Sequence, residues 1–301
     1  MSFHGTNTFI PFPRYENAVF IGDTAAETLA ELKIYARGLI GGELPNMQSY
    51  HPAEKLLECT SCVMNDQRLL TTAMRRGEID YILLENNSVS DMNLKELVPR
   101  LEASGFCVKI LDITEDPVEN IKRAAFLFQE EKRGERVVRE YLRTEEALRK
   151  LPPLPMQKIL SLLAIRHPVD DRIFLFAISG VSELNREIYP ALNAINPVRE
   201  DLYDTVIPGL VEVNDLAPFL SYEPDWIAVM GDALGVQKKL SEYVQSHPRE
   251  VPKALSQMKV FSVPYYARPL AVRKPSILKF WREAAEKNKR LRGLCETAEA
   301  S

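Results

Sequence analysis

Between Glu115 and Pro155 the sequence carries only helical signals, "EDPVENIKRAAFLFQEEKRGERVVREYLRTEEALRKLPPLP", whereas strand and helix patterns alternate on both sides of it. Pro117 stands where a first helical turn tolerates it, Gly134 interrupts the pattern, and Pro152, Pro153 and Pro155 stop it. The second helical piece, about Glu135 to Lys150, is expected to span roughly 24 Å at ~1.5 Å per residue, enough to bridge two lobes. A chain of 301 residues, about twice the common domain size, has material for two cores.

Before this stretch, "NAVFIGDTAAETLAELKI" reads as a strand, a Gly-Asp-Thr turn able to cap a helix, and a helix with Ala26, Leu29 and Leu32 on one side. "IDYILLENN" is a second apolar strand. "DMNLKELVPRLEASG" is a helix with Leu94, Leu97, Val98 and Leu101 on one face and Gly105 as its stop, and "FCVKILDI" is a third strand. Strand, helix, strand at this length implies a parallel, right-handed crossover. After the stretch come the strands "KILSLLAI" and "RIFLFAISG", the helix "VSELNREIYPALNAI", the strands "DWIAVMGD" and "KVFSVPYY", and a closing helix "PSILKFWREAAEKNKRLRG". The expected fold class is α/β: two lobes with parallel-type sheets, residues 17–114 and 156–301, joined through linker helices 115–155 that include one long backbone helix, with a ligand cleft between the lobes.

Composition removes several functions. A net charge of -4 with intermixed signs leaves no basic stripe, and no nucleic-acid motif is present, so a polyanion partner is excluded. No run of about 18 apolar residues exists to span a membrane. The start, "MSFHGTNTFIPFPRYENAVF", lacks the basic and continuous apolar segments of a signal peptide, which taken alone favours the cytoplasm. No nucleophile elbow, P-loop or paired-carboxylate motif with a defined setting is found.

Two α/β lobes joined by a helix resemble the helical-backbone, class III solute-binding proteins of ABC transporters, which serve iron-siderophore, haem, cobalamin and some metal ions. "AETLAELKI" resembles the family's first helix, and "IDYILLEN" followed by "LVPRLEASGFCVKILDI" its strand, helix, Gly, strand closure of the first lobe. "DPVENIKRAAFLFQEEKRGERVVREYLRTEEAL" is similar to the helix pair that leads into the backbone helix. "LAPFLSYEPDWIAVMGD" resembles the segment that delivers a Pro-Asp into a strand, and "VPKALSQMKVFSVPYYARP" the late helix, strand and cleft loop. The resemblance implies a carrier that captures an iron complex (siderophore or haem) or a cobalamin-like corrinoid as cargo, with no cofactor required. It implies a permease dimer as partner, a monomeric state, and a periplasmic or surface-tethered location if a signal was removed. Two departures stand out: neither a signal nor a lipoprotein cysteine is present, and the first lobe carries Cys59-Thr60-Ser61-Cys62. They support an alternative, a cytosolic bilobal α/β protein that handles metal or redox chemistry with Cys59 and Cys62.

In an open α/β sheet the carboxyl ends of the strands form the ligand crevice. By the strand assignment above, the residues there are Gly22, Asp23 and Thr24; Glu85 and Asn86; Ser179, Gly180 and Val181; Gly231 and Asp232; and Tyr265, Tyr266 and Arg268. Glycines at such places let a ligand approach backbone, or simply make turns. The strand "KVFSV" ends at Pro264 and hands over two tyrosines and an arginine. A phenol can hydrogen-bond, stack on a flat ligand or ligate ferric iron, and an arginine can pair with a carboxylate. The plain alternative is a tyrosine-buttressed turn with a solvated arginine. Adjacent residues of extended chain point opposite ways, so one tyrosine of the two is expected to meet ligand. Tyr50 and His51 are further candidates.

Cys107 and Cys295 do not form a second CxxC, and His4, His51, His167 and His247 are scattered, which disfavours a zinc site or a His-rich metal cleft. For Cys59 and Cys62 a redox pair, incidental thiols and, in an exported protein, a small disulfide all stay open. Glu135 and Arg139, at helical spacing, form a solvated face.

Overall fold

The computed structural model describes residues 14–41, 55–76, 78–87, 93–166, 172–203, 205–265 and 272–299. The chain divides into two compact units, Met1–Glu140 and Tyr141–Ser301.

The first unit holds the strands β1 (Arg14–Ile21), β2 (Tyr35–Gly41), β3 (Lys55–Cys59), β4 (Tyr81–Asn87) and β5 (Cys107–Ile113) in the order β3-β2-β1-β4-β5, every pair parallel. Strands β2 and β3 were not resolved by the apolar pattern, because Arg37 and Gly38 break the run in one and Glu58 ends the other. Ala18, Val19, Phe20 and Ile21 on the central β1 are fully buried, as a strand covered on both faces requires. Helix α1 (Asp23–Glu31) follows β1, α2 (Thr60–Asn65) and α3 (Gln67–Arg76) follow β3, and a 3₁₀ turn at Leu94–Leu97 with α4 (Val98–Ala103) links β4 to β5. Val19, Ile21, Ile40, Ile82 and Leu84 of the sheet pack with Val63, Leu70, Met74, Leu97 and Leu101 of these helices.

Helix α5 (Pro117–Leu127) is fastened to β5 by Asn120, fully buried, whose Oδ1 accepts from the Thr114 N–H at 2.7 Å while its Nδ2 donates to the Thr114 carbonyl at 3.0 Å. Helix α6 (Glu131–Arg149) then carries the chain across the division between the units. It runs straight through Gly134, expected to interrupt it. Gly134 is buried, and a Cβ there would lie 2.5 Å from the Cβ of Ala125 on α5. The glycine lets two helices touch rather than ending one.

The second unit contains β6 (Gln157–Arg166), β7 (Ile173–Ile178), α7 (Glu183–Ala191), β8 (Ala194–Ile195), β9 (Thr205–Ile207), β10 (Leu210–Glu212), α8 (Ala217–Leu220), β11 (Trp226–Gly231), α9 (Ala233–Ser246), α10 (Lys253–Ser256), β12 (Val260–Ser262) and α11 (Lys274–Glu299). Its sheet has the order β12-β11-β6-β7-β10-β9, with β8 beside β6. Strands β12, β11 and β6 are parallel, but β7, β10 and β9 alternate in direction. The expectation of a parallel-type sheet is therefore corrected for this unit. Only residues 167–172 lie between β6 and β7, and a parallel crossover needs about a dozen or more.

Each face of this sheet carries its own core. Trp281 of α11, fully buried, packs with Tyr189, Phe261 and Met230 on one face. Leu160, Val229, Val236 and Phe219 fill the other. Burial raises the Tyr189 phenol well above the ordinary tyrosine range, and its hydroxyl lies 2.6 Å from the Ser161 Oγ and donates to the Ile159 carbonyl at 3.1 Å.

Candidate functional site

Because all five strands of the first sheet point the same way, their carboxyl ends line up along one edge: Ile21 pairs with Ile40 and Leu84, Gly41 with Cys59, and Asn87 with Ile113. Gly22 turns the chain from β1 into α1 at φ 115, and a Cβ there would sit 2.3 Å from the Glu85 Cβ. Glu85 is 2% exposed. Its Oε2 accepts from the Ala25 N–H at 2.8 Å and its Oε1 from the Asn87 side-chain amide at 2.9 Å. Asp23 and Thr24 are buried as well, and a Cβ on Gly41 would lie 2.2 Å from the Asp23 Oδ1. Asp23, Thr24 and Glu85 are thus the floor of the edge. Its rim is made by the half-buried Asn86, which donates to Asp112, and by Lys95, 3.8 Å from that same carboxylate. Cys59 and Cys62 also lie on this rim, and they form a disulfide.

In the second unit the carboxyl edge of the parallel strands is built differently. Gly231, at φ 75, ends β11 where a Cβ would collide with the Ala164 carbonyl at 2.1 Å. Asp232 donates its N–H to that carbonyl at 2.8 Å and caps α9 by accepting from the Gly235 N–H at 3.0 Å. The other Asp232 oxygen accepts from Arg166 Nε at 2.8 Å and pairs with its terminal nitrogen at 2.7 Å. Arg166 escaped the sequence analysis because a charged residue after an apolar run reads as solvated. The signal that finds it is its place as the last residue of β6, at the edge that Gly231 and Asp232 share.

Tyr265 follows β12 at this edge, half-buried against the core around Trp281, whose indole N–H donates to the Pro264 carbonyl at 3.0 Å. Tyr266 and Arg268, with Tyr50 and His51, lie outside the described residues, as do His4 and His167. His247 stacks on Tyr243 and is occupied locally.

Ser179 and Gly180 are not part of the same edge. Arg166 pairs with Ile173 and Leu162 with Ala177, so β7 runs back toward the amino end of β6 and delivers Ser179, Gly180 and Val181 to the opposite end of the sheet. There Ser179 is fully buried, its N–H bonded to the Gly209 carbonyl at 3.0 Å and its hydroxyl to Glu200. Glu200 also accepts from the Gly209 N–H at 3.0 Å, and the Gly180 carbonyl accepts from the Asn185 amide at 2.7 Å. This is a closed structural network. Among the described residues no group of His, Cys, Asp and Glu is arranged to hold a metal ion, and no helix is long and apolar enough to cross a membrane.

No protein-family model and no curated protein matches the sequence. Solved structures do. The periplasmic heme-binding protein BhuT, in complex with two hemes, is similar with a TM-score of 0.59 at 12% identity, over 91% of this chain and 98% of that one. RhuT from Roseiflexus sp. RS-1, a periplasmic heme-binding protein in apo form, gives 0.58 at 13% over 91% and 99%. The periplasmic heme-binding protein HutB of Vibrio cholerae gives 0.53 at 15% over 91% and 99%. The chain therefore has the two-lobed α/β fold of periplasmic binding proteins, along nearly its whole length.

Proposed function

We propose that this chain is the solute-binding component of an ABC importer, which captures an iron complex, haem or a ferric siderophore, or a related corrinoid, outside the cytoplasm and hands it as a monomer to a permease dimer. The observation that carries this reading is the fold similarity to three periplasmic heme-binding proteins over 91% of the chain. Binding and release require no covalent step, and the carboxyl edges of the two sheets are the cargo-contacting surfaces. In the first unit the contacts are Asn86 and the backbone over Gly22, Asp23 and Thr24. In the second they are Gly231, Asp232 and the segment that follows Pro264. With Tyr265 partly buried against the core, the cargo contact is proposed for Tyr266, with Arg268 to pair a cargo carboxylate. Tyr50, between β2 and β3 in the sequence, belongs to the same set. Ser179 and Gly180 are withdrawn from it, since their polar groups serve the Glu200 network. The disulfide supports an oxidising compartment, and nothing favours the cytosolic alternative.

The test is a thermal-shift and absorbance screen against haem, cobalamin, ferric siderophores and free metal ions. A ligand that binds only the folded state raises apparent stability by about 2.7 kcal/mol at a hundred times its Kd. Saturable stabilisation by one iron or tetrapyrrole complex is the expected result; no stabilisation by any of them removes the reading.

A further inference from the structure

We propose that the Cys59–Cys62 disulfide is a thiol–disulfide exchange centre on the carboxyl edge of the first sheet, opened by a dithiol and closed by its oxidised form, rather than a staple for the fold. A bridge between residues three apart closes a very short loop, and short loops remove the least entropy from the unfolded chain. The segment has other anchors: Val63 is fully buried in the core and Thr60 is 3% exposed, while Cys59 continues the β3 ladder opposite Gly41. These anchors hold the segment in place beside the bridge.

The two sulfurs are unequal. Cys62 belongs to an exposed residue and Cys59 to a half-buried one, and the Cys59 Sγ accepts the Cys62 backbone N–H at 3.1 Å. A hydrogen bond to sulfur favours the thiolate over the thiol, and the lower-pKa sulfur is the faster leaving group. The thiolate of an incoming dithiol therefore attacks the Cys62 Sγ. The bond between Cys59 and Cys62 breaks, a new S–S bond joins Cys62 to the reductant, and the electron pair leaves on Cys59, where the Cys62 N–H holds it. The second thiol of the reductant, once deprotonated, attacks its own linked sulfur and displaces Cys62, which takes a proton from water. Two electrons pass from the dithiol to the protein; the dithiol gives both its protons to solvent, Cys62 takes one back, Cys59 stays a thiolate, and the reductant departs as a disulfide. The reverse sequence with an oxidised dithiol restores the bridge. Gly41, the neighbour of Cys59, also abuts Asp23, so the exchange takes place on the rim of the edge described above.

The experiment uses the full chain with Cys107→Ser and Cys295→Ser, which leaves only the two cysteines of interest. The protein is incubated with dithiothreitol in native buffer, quenched with an alkylating reagent and weighed, with circular dichroism recorded in parallel. Expected is complete opening with the fold retained. In the same background, Cys62→Ser should give a Cys59 whose alkylation midpoint lies at least one pH unit below the ~8.5 of an ordinary thiol, and Cys59→Ser a Cys62 with an ordinary midpoint. A bridge that opens only in denaturant, or unfolding that accompanies opening, overturns the proposal in favour of a staple. Equal, ordinary midpoints overturn it as well. Should a single-cysteine variant fail to fold, the opening measurement decides alone. No cargo is involved, so failure here leaves the transport reading standing.

Discussion

The two sheets reach their carboxyl edges by different routes. Connections that leave room for helices link the five strands of the first sheet, so every strand points the same way and every carboxyl end contributes to one edge. In the second, a six-residue link turns β7 back on β6, which removes Ser179 and Gly180 from the edge and leaves Arg166 there instead. The carboxylates differ accordingly: Glu85 is sealed inside and holds the Ala25 backbone and the Asn87 amide, whereas Asp232, its side chain 17% exposed, holds a helix cap and an arginine. The lesson is that connection length sets strand direction, and strand direction decides which residues can act together.

If the first edge is as rigid as this comparison states, substitution there should cost most. Gly22→Ala places a side chain at φ 115 and against Glu85. Strain of about 1 to 3 kcal/mol and overpacking of about 1 to 3 kcal/mol should together cost roughly 4 kcal/mol in denaturant unfolding. A loss below about 1 kcal/mol would show that the turn relaxes freely. Glu85→Ala strands the Ala25 N–H and the Asn87 amide and should cost about 2 to 3 kcal/mol.

The second edge is expected to be more forgiving. Asp232→Ala loses an N-cap, worth about 1 to 2 kcal/mol, and an ion pair with the 42%-exposed Arg166 that adds little in water. A larger loss than that of Glu85→Ala would reverse the ranking of the two carboxylates.

The units should also part at high pH. Burial raises the Tyr189 phenol, so the stability it contributes is complete below the unfolded value near ~10 and is lost as pH rises through the folded value. In the first unit burial, with the Cys107 thiolate and then Tyr15 as lesser contributors, pushes the half-buried Tyr81 up to about 12. Tyrosinate absorbance recorded beside circular dichroism should show the second unit unfolding first. Simultaneous loss of both would contradict this.

The smallest effect on the fold and a selective one on cargo is expected from Arg268→Ala. A lost charge-assisted hydrogen bond costs about 1.5 to 3 kcal/mol, roughly 10-fold to 150-fold in affinity, without change in thermal stability of the empty protein. Unchanged affinity returns Tyr266 and Arg268 to the role of a plain turn.

These contrasts also explain what was legible in the sequence. The strand, glycine turn and helix over Asn17–Ile34 could be read directly, because apolar period and turn chemistry agree there. The long helix was legible too, but Gly134 was misjudged, since its reason is the Ala125 side chain on another helix. Arg37 and Gly38 hid β2, whose place is decided by pairing with its neighbours rather than by its own pattern. The reversal of β7 could have been read from the short link before it, and overlooking that link moved Ser179 and Gly180 to the wrong end. Glu85 could be placed at the end of its strand, but its burial could not be read, because burial depends on what α1 lays over it.

Hydrogen–deuterium exchange with and without bound haem tests the central claim, that the carboxyl edges of both sheets receive the cargo. The account predicts that haem slows exchange in peptides covering 22–27, 85–87, 231–236 and 264–268 and leaves 178–182 and 205–211 unchanged. Protection confined to 178–182 and 205–211, with the other four unaltered, would contradict it.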